Sequence, residues 1–270
     1  MKSTRLPLLL VLLLIPIAGA LYVLLRPSAD SPGVRFALYR PSAAEFYVDR
    51  GATPGGDLDF AHTAKDTIPF GVPGDVGLVC PQKDREDPYG YRVFAQGLWF
   101  LSGNSKRPPQ GDLGFGSPGD QPFCADFNGD GQADSGVFRD GVWLIATRRA
   151  GTDADIQFTL GAKGDRPVVL NVVGAGNTTD RKNVVYGVYR QGQWYLDTKG
   201  SGTVDVTHSF GGLPQDVPLL IPRWSQDANA VGYSLAIFRD GTWFVRPDPD
   251  APRMLSFAFG QAGDLPSVVY

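Results

Sequence analysis

Short apolar runs bounded by turn-forming residues make up most of this chain. Ser135–Arg139 and Val142–Thr147 are two such runs, and only the dipeptide Asp140-Gly141, typical of a tight hairpin turn, separates them. Asp240-Gly241 lies between two similar runs near the C-terminus. Further apolar runs precede and follow these hairpins, for example Asp155–Leu160. The pattern therefore predicts antiparallel β-sheets and not helices.

Two motifs recur along the chain in a fixed order. The first is Phe-Gly-x-Pro-Gly-Asp or a near relative, which occurs at residues 70–75, 115–120, 160–165, 210–216 and 259–264. The second is an aromatic residue followed by Arg-x-Gly-x-Trp, which occurs at 138–143, 189–194 and 238–243, more loosely at 94–99, and in degenerate form from Tyr39. Each repeat has about 45–50 residues and room for four strands, the length and content of a β-propeller blade.

The two ends of the repeat region complement each other. Leu265–Tyr270 matches the first strand of a repeat, and Val34–Arg40 matches a second strand. The sequence therefore predicts an all-β, five-bladed β-propeller, residues 34–270, closed by strands from both termini so that no sheet edge stays open. The predicted blades are 265–270 with 34–71, 76–116, 121–161, 166–211 and 217–260. A β-solenoid or open array is the alternative, but it would need polar end caps that we do not find.

An uncharged, apolar stretch precedes this region. Leu6–Leu25 follows Lys2 and Arg5, and as a helix it would rise about 30 Å, the thickness of the hydrocarbon core of a bilayer. We expect residues 1–26 to form a retained transmembrane signal-anchor with a cytoplasmic N-terminus. The alternative is a signal peptide cleaved near Ala18-Gly19-Ala20, which would leave a secreted protein.

Charge limits the partners of the part that follows the anchor. We interpret residues 27–33 as a polar linker. We expect residues 34–270 to lie in the periplasm or outside the cell, as part of a single-pass inner-membrane protein. The chain has a formal charge of −3, and without Lys2, Arg5 and Arg26 it becomes about −6. Since no run of four basic residues occurs after the anchor, nucleic acid is a poor candidate as a partner, and we expect none to bind.

One loop has the composition of a cation site. Oxygen-bearing residues stand at positions 1, 3, 5 and 9 of the segment Asp126–Asp134, and Gly131 at position 6 permits a sharp turn. This donor set suits a hard cation, Ca²⁺ before Mg²⁺. The predicted ligands are Asp126, Asn128, Asp130, the main-chain carbonyl of Gln132, and Asp134. An Asp/Gly-rich turn satisfied by its own backbone is the alternative.

The combination of these motifs resembles a known repeat family. Phe115–Asp120, Asp126–Asp134 and Val137–Trp143 together look like the FG-GAP/VCBS-type repeat of bacterial exported β-propellers, and the resemblance covers residues 34–270. It implies one structural Ca²⁺ in the loop of the third repeat, because the corresponding loops of the other repeats lack the full ligand set. Relatives include lectins, adhesion-type receptors and proteins of no known activity, so the resemblance does not choose a function.

The two cysteines occupy near-equivalent places. Cys80 and Cys124 lie five and four residues after Asp75 and Asp120, in corresponding strands of neighbouring blades. In an oxidising compartment they can form a disulfide. Two buried thiols, too far apart to bond, are the alternative.

Residues that recur in every repeat are interpreted as architectural. These are the turn aspartates, the arginines of the second motif, which can pair with them, and the tryptophans, for which packing between blades competes with a sugar-binding platform. The only histidines, His62 and His208, lie in different blades without a metal-ligating cluster. We therefore predict a non-enzymatic binding or scaffold module with a protein partner. A glycan-binding lectin and a glycan-degrading enzyme are the alternatives.

Overall fold

A computed structural model of the protein describes residues 34–49, 65–81, 89–102, 112–147, 152–172, 184–223 and 232–269. The proposed anchor, residues 1–26, and the linker, residues 27–33, lie outside these ranges. Within them, no helix has the length and apolar character needed to cross a bilayer. The described residues form twenty β-strands in five four-stranded antiparallel sheets, the five blades of a β-propeller.

Each blade is numbered by its place in the chain. Blade 1 combines a C-terminal strand with three N-terminal ones: β20 (Leu265–Val269), β1 (Arg35–Arg40), β2 (Glu45–Asp49) and β3 (Lys65–Pro69). Blade 2 contains β4 (Val76–Pro81), β5 (Tyr89–Ala95), β6 (Leu98–Leu101) and β7 (Asp112–Gly114). Blade 3 contains β8 (Gln121–Ala125), β9 (Asp134–Arg139), β10 (Val142–Ala146) and β11 (Ile156–Thr159). Blade 4 contains β12 (Arg166–Asn171), β13 (Val184–Arg190), β14 (Gln193–Asp197) and β15 (Val206–Ser209). Blade 5 contains β16 (Val217–Pro222), β17 (Tyr233–Arg239), β18 (Thr242–Arg246) and β19 (Leu255–Ala258).

The predicted hairpin turns are confirmed. Asp140 and Gly141 both have positive φ, 49° and 95°, and Asp240 and Gly241 repeat this geometry. Positive φ at both central residues defines the turn whose twist matches that of paired strands, and Asp-Gly adopts it readily. Arg139 accordingly pairs directly with Val142 across the turn.

The first strands of the blades surround a central channel. β20, β4, β8, β12 and β16 contact one another in a ring, and their residues line a space of about 200 Å³. Proline occupies the second position of four of these strands: Pro122, Pro167, Pro218 and Pro266. These strands have one edge without a sheet partner, and proline is suited to such an edge because it has no N–H to leave unbonded.

The tryptophans of the second motif lie in the core between blades. Trp99, Trp143, Trp194 and Trp243 are fully buried. Their indole N–H groups donate to main-chain carbonyls, as from Trp143 to Leu160 at 2.9 Å. Trp143 also contacts Tyr186 of blade 4, with ring centroids 5.7 Å apart. The interpretation of these residues as packing residues is confirmed, and their burial removes the alternative of an exposed sugar-binding platform.

The turn aspartates hold the chain where it passes from one blade to the next. The carboxylate of Asp165, for example, accepts the N–H of Ala162 at 2.8 Å and binds Arg190 of the next blade through two hydrogen bonds of 2.6 and 2.8 Å. The other arginine–aspartate pairs are Arg40–Asp264, Arg139–Asp120 and Arg239–Asp216. The predicted pairing of the two motifs is therefore confirmed in four blades, and Ala95 replaces the arginine in blade 2.

A disulfide joins blades 2 and 3. Cys80 of β4 and Cys124 of β8 are bonded, with their Cα atoms 5.8 Å apart. Although the two residues are one position out of register in the repeat, the inner strands approach closely enough for the bond. The disulfide forms part of the channel wall, since Cys124 lines the channel.

Candidate functional site

The Asp126–Asp134 loop connects β8 to β9 at one end of blade 3. Its first residue organises the turn: one carboxylate oxygen of Asp126 accepts the N–H groups of Gly129 and Asp130, at 2.6 and 3.1 Å, and the other accepts that of Gly131 at 2.8 Å. Asp134 at the end of the loop accepts the N–H of Phe127 at 2.8 Å. Gly129 and Gly131 have positive φ, 78° and 85°, which permits the tight course of the chain.

The predicted ligands therefore lie in one compact loop. Asn128 accepts the N–H of Asp130 at 2.9 Å, and Asp130 accepts that of Gln132 at 2.8 Å. Over the described ranges, no three carboxylate, thiol or imidazole groups converge as a ready-made metal cluster. The loop brings oxygen donors into one neighbourhood without joining its three carboxylates at a point.

The electrostatics of the loop favour a cation. Asp134 is buried, 5 % exposed. The pKa of Asp134 is raised to about 7, chiefly by burial and then by the negative charges of Asp126 and Asp130, against the lowering effect of the hydrogen bond from the Phe127 N–H. A cation among these oxygens would relieve that repulsion. By their chemistry alone, the three aspartates, Asn128 and the Gln132 carbonyl are oxygen donors of the kind that a hard divalent ion takes.

Both neighbouring blades hold this loop in place. On one side, the side-chain oxygen of Asn171 in blade 4 accepts the N–H of Asp126 at 3.1 Å, and Phe127 packs into the aromatic core between blades 3 and 4. On the other side, Arg92 of blade 2 donates to the hydroxyl of Ser135 at 2.9 Å and to the carbonyl of Ala133. The loop therefore links three consecutive blades.

A second loop repeats the same hydrogen-bonding scheme. In the segment 197–205 of blade 4, Asp197 accepts the N–H groups four and five residues ahead, those of Ser201 and Gly202, as Asp126 does for Asp130 and Gly131. Asp205, eight residues after Asp197, accepts the N–H of Thr198 at 2.8 Å. Asp134 bears the same relation to Phe127.

In the second loop, a lysine side chain supplies the positive charge. Lys199 stands at the position of Asn128, and its ammonium lies 3.3 Å from the carboxylate of Asp205. Although loss of hydration opposes the shift, hydrogen bonds from Thr198 together with the charge of Lys199 lower the pKa of Asp205. Sequence analysis missed this loop, because a lysine and a serine replace two oxygen ligands. The spacing of Asp197, Gly202 and Asp205 was the signal that could have revealed it.

The remaining candidates are dispersed. His208 bonds to the Tyr233 hydroxyl across blades 4 and 5 at 2.9 Å and lies 3.6 Å from Asp250. His62 lies outside the described ranges.

No carboxylate is found among the described residues of the channel wall. A glycosidase needs two facing acids, which these residues do not supply.

Comparisons with known proteins add little to this picture. No protein-family model matches the chain, and no curated protein matches it. Among solved structures, the crystal structure of BBS1N in complex with ARL6DN, soaked with lead, aligns with 86 % of this chain and 70 % of that chain, at 12 % identity and a TM-score of 0.42.

Proposed function

We propose that this chain is a membrane-tethered, extracytoplasmic binding or scaffold module that carries one structural calcium ion. The observation that supports it best is the use of the repeated polar residues: the turn aspartates bind arginines and main-chain N–H groups, and the tryptophans fill the core. The recurring motifs therefore serve to build the ring. Binding is assigned to positions that depart from the repeat, as is usual where loops are presented by a rigid scaffold.

Calcium has a structural role in this proposal. Asp126, Asn128, Asp130, Asp134 and the carbonyl of Gln132 would hold it, and the ion would neutralise the three carboxylates. Because Asn171 and Arg92 bind the main chain at the two ends of the same segment, a stiffer loop would also fix the relative position of blades 2, 3 and 4.

A pull-down tests the scaffold function. The tagged full-length protein is crosslinked in native membranes, purified with calcium or with EGTA, and its partners are identified by mass spectrometry. A reproducible partner that is lost with EGTA is the expected result. Turnover of a polymeric substrate by the purified protein, without a partner, would contradict the proposal.

A further inference from the structure

Blade 2 lacks the arginine that binds the turn aspartate in the other four blades. In those blades, guanidinium nitrogens lie 2.6–2.8 Å from the carboxylate oxygens. In blade 2, Ala95 occupies the position of the arginine. The pairing of β4 with β5 joins Val76 to Phe94, which brings Ala95 beside the turn aspartate Asp75. A methyl group therefore stands where the other blades have a cation.

The turn around Asp75 nevertheless has the geometry of the turns that bind an arginine. One oxygen of its carboxylate accepts the N–H of Val72 at 2.8 Å, as Asp120 accepts that of Ser117 at 2.8 Å. The other oxygen, which receives an arginine Nε in the other blades, has no hydrogen-bond partner among the described residues. Asp75 is 9 % exposed, and this oxygen is not one of the enclosed, unbonded polar atoms, so a group from outside can reach it.

Blade 2 also keeps the aromatic ring over which these arginines lie. In three blades, the guanidinium carbon lies 4.6–5.4 Å from the centroid of such a ring: Arg40 over Tyr47, Arg190 over Tyr195 and Arg239 over Phe244. Phe100 occupies the equivalent position in blade 2 and is half-buried. A guanidinium over such a ring is stabilised by cation–π attraction. Blade 2 thus supplies the carboxylate and the ring, but not the cation.

A buried hydroxyl group lies beside the same turn. Tyr39 of blade 1 is fully buried, and its hydroxyl has no hydrogen-bond partner. A β-carbon at Gly71 would come within 2.8 Å of this hydroxyl and 3.1 Å of the Asp75 carboxylate, so both groups lie against one residue of the turn. At the corresponding turn of blade 5, the hydroxyl of Tyr189 accepts the N–H of Gly212 at 2.9 Å. Hydrogen bonding at the blade 2 turn is therefore incomplete at two polar groups.

Exposed apolar side chains flank Asp75. Val72 belongs to the same turn and is 61 % exposed, and Leu98, which pairs with Ala95, is 45 % exposed. A free guanidinium ion would leave these side chains in water, whereas a protein surface that presents a guanidinium would also cover them. Arginine fits better than lysine, because stacking on a ring and two parallel hydrogen bonds to a carboxylate both need a planar group.

We propose that Val72, Asp75, Leu98 and Phe100, together called the blade 2 acceptor, bind an arginine side chain of a protein partner. The guanidinium takes the place that the chain's own arginines occupy in the other four blades, with its N–H groups on Asp75 and its plane on Phe100. The proposal rests on the proposed binding function and names the residue by which the partner is recognised. It does not depend on the calcium ion.

Binding of two model peptides to the full-length protein tests the proposal. The probe is acetyl-leucyl-arginyl-leucinamide, and the control peptide has citrulline, an uncharged analogue of nearly the same shape, in place of the arginine. Titrations followed by NMR signals of the peptides give both dissociation constants, even for weak binding. We expect the arginine peptide to bind at least about tenfold more tightly, because only its guanidinium forms charge-assisted hydrogen bonds with the carboxylate.

Ala95→Arg fills the acceptor from within the chain. The new arginine should pair with Asp75 as in the other blades, so the variant should fold and should lose the preference for the arginine peptide. Gln261→Arg is the matched control, because it adds the same charge at the exposed residue of the blade 1 turn that corresponds to Val72, and it should keep the preference. Asp75→Asn can still accept the N–H of Val72, and it should lose the preference as well.

The outcomes separate this proposal from the proposed binding function. If the native protein binds neither peptide or binds both equally, the proposal is wrong, and a partner found by the pull-down would still support the scaffold function. A native preference that persists in folded Ala95→Arg or Asp75→Asn would also overturn the proposal. If the preference depends on Asp75 but the pull-down finds no partner, the arginine-binding surface stands and the scaffold function fails.

Discussion

The loops at 126–134 and 197–205 share one pattern of hydrogen bonds from main-chain N–H groups to aspartates, but they differ in the charges of their side chains. In both, the first aspartate accepts main-chain N–H groups four and five residues ahead, and the last accepts the N–H of the second residue. The pKa values of Asp134 and Asp205, the last aspartates of the two loops, shift in opposite directions. The pKa of Asp134 rises to about 7, chiefly through burial and then through the charges of Asp126 and Asp130. The pKa of Asp205 falls, since hydrogen bonds and Lys199 outweigh the loss of hydration.

The difference between the two loops indicates that the shape of the loop and its proposed affinity for a metal ion depend on different residues. The turn itself needs only an aspartate at each end and glycines where φ is positive. The side chains at the third and fifth positions then decide what can balance the charge: Lys199 supplies a positive charge in blade 4, whereas Asn128 and Asp130 add oxygen atoms in blade 3, two of the ligands of the proposed calcium ion. The blade 4 loop thus serves as an internal control for the proposed calcium site.

The largest expected effect is the loss of Asp197. Asp197 is fully buried and accepts hydrogen bonds from Tyr186 at 2.8 Å and from several main-chain N–H groups. Asp197→Ala should lower the free energy of unfolding by about 3 kcal/mol, because buried donors lose their acceptor. Urea unfolding in EGTA measures this. Asp126→Ala, at a half-buried position, should cost less under the same conditions, and an equal or greater cost would contradict the comparison.

Calcium should stabilise the native chain through the blade 3 loop alone. An ion at about 100 times its Kd adds roughly 2.7 kcal/mol, which for a domain of this size raises Tm by about 5–10 °C. Thermal unfolding with calcium or EGTA measures the shift. Asp130→Ala should abolish it and Lys199→Ala should retain it. A shift that survives in Asp130→Ala would place the ion elsewhere.

A smaller calcium response should appear when the blade 4 loop is given oxygen ligands. Replacing Lys199 with Asn and Ser201 with Asp reproduces the side chains of Asn128 and Asp130. The exposed Lys199–Asp205 pair contributes only about 0–1 kcal/mol, so the fold should tolerate its loss. We expect one additional calcium ion per chain by titration. No additional ion in a folded variant would show that more than the loop side chains is needed.

The smallest effect concerns pH and the contact between blades 4 and 5. Burial lowers the pKa of His208, and Arg246 lowers it further, while Asp250 and Asp248 act in the opposite direction. Since the unfolded state binds the proton more readily, the contribution of His208 to stability is complete above the ordinary pKa of 6.5 and falls as the pH drops below it. Unfolding free energies of native protein and His208→Gln between pH 7.5 and 5.5 should diverge slightly at the upper end only. Parallel curves would contradict this.

Much of the ring was predictable because its signals are local. Asp140-Gly141 and Asp240-Gly241 specify hairpin turns by their backbone preferences. The spacing of the two motifs gives the number and the length of the blades. The turn of the Asp126–Asp134 loop was predictable for the same reason, since it is specified within nine residues, whereas its calcium ligands stay a prediction.

Two features that depend on contacts between blades were not settled by the sequence alone. Cys80 and Cys124 are 44 residues apart and one position out of register, so only the approach of β4 and β8 decides that they bond. Arg92 gives no local signal at all. Its significance arises because it extends across an interface toward Ala133 and Ser135, where four other blades have no side chain beyond a methyl group.

The metal site at the centre of this account is tested most directly by calorimetric titration of the purified full-length protein with CaCl₂, beside Asp130→Ala. The account predicts one calcium ion per native chain and none for the variant. No binding to the native protein, or equal binding to both, would contradict it.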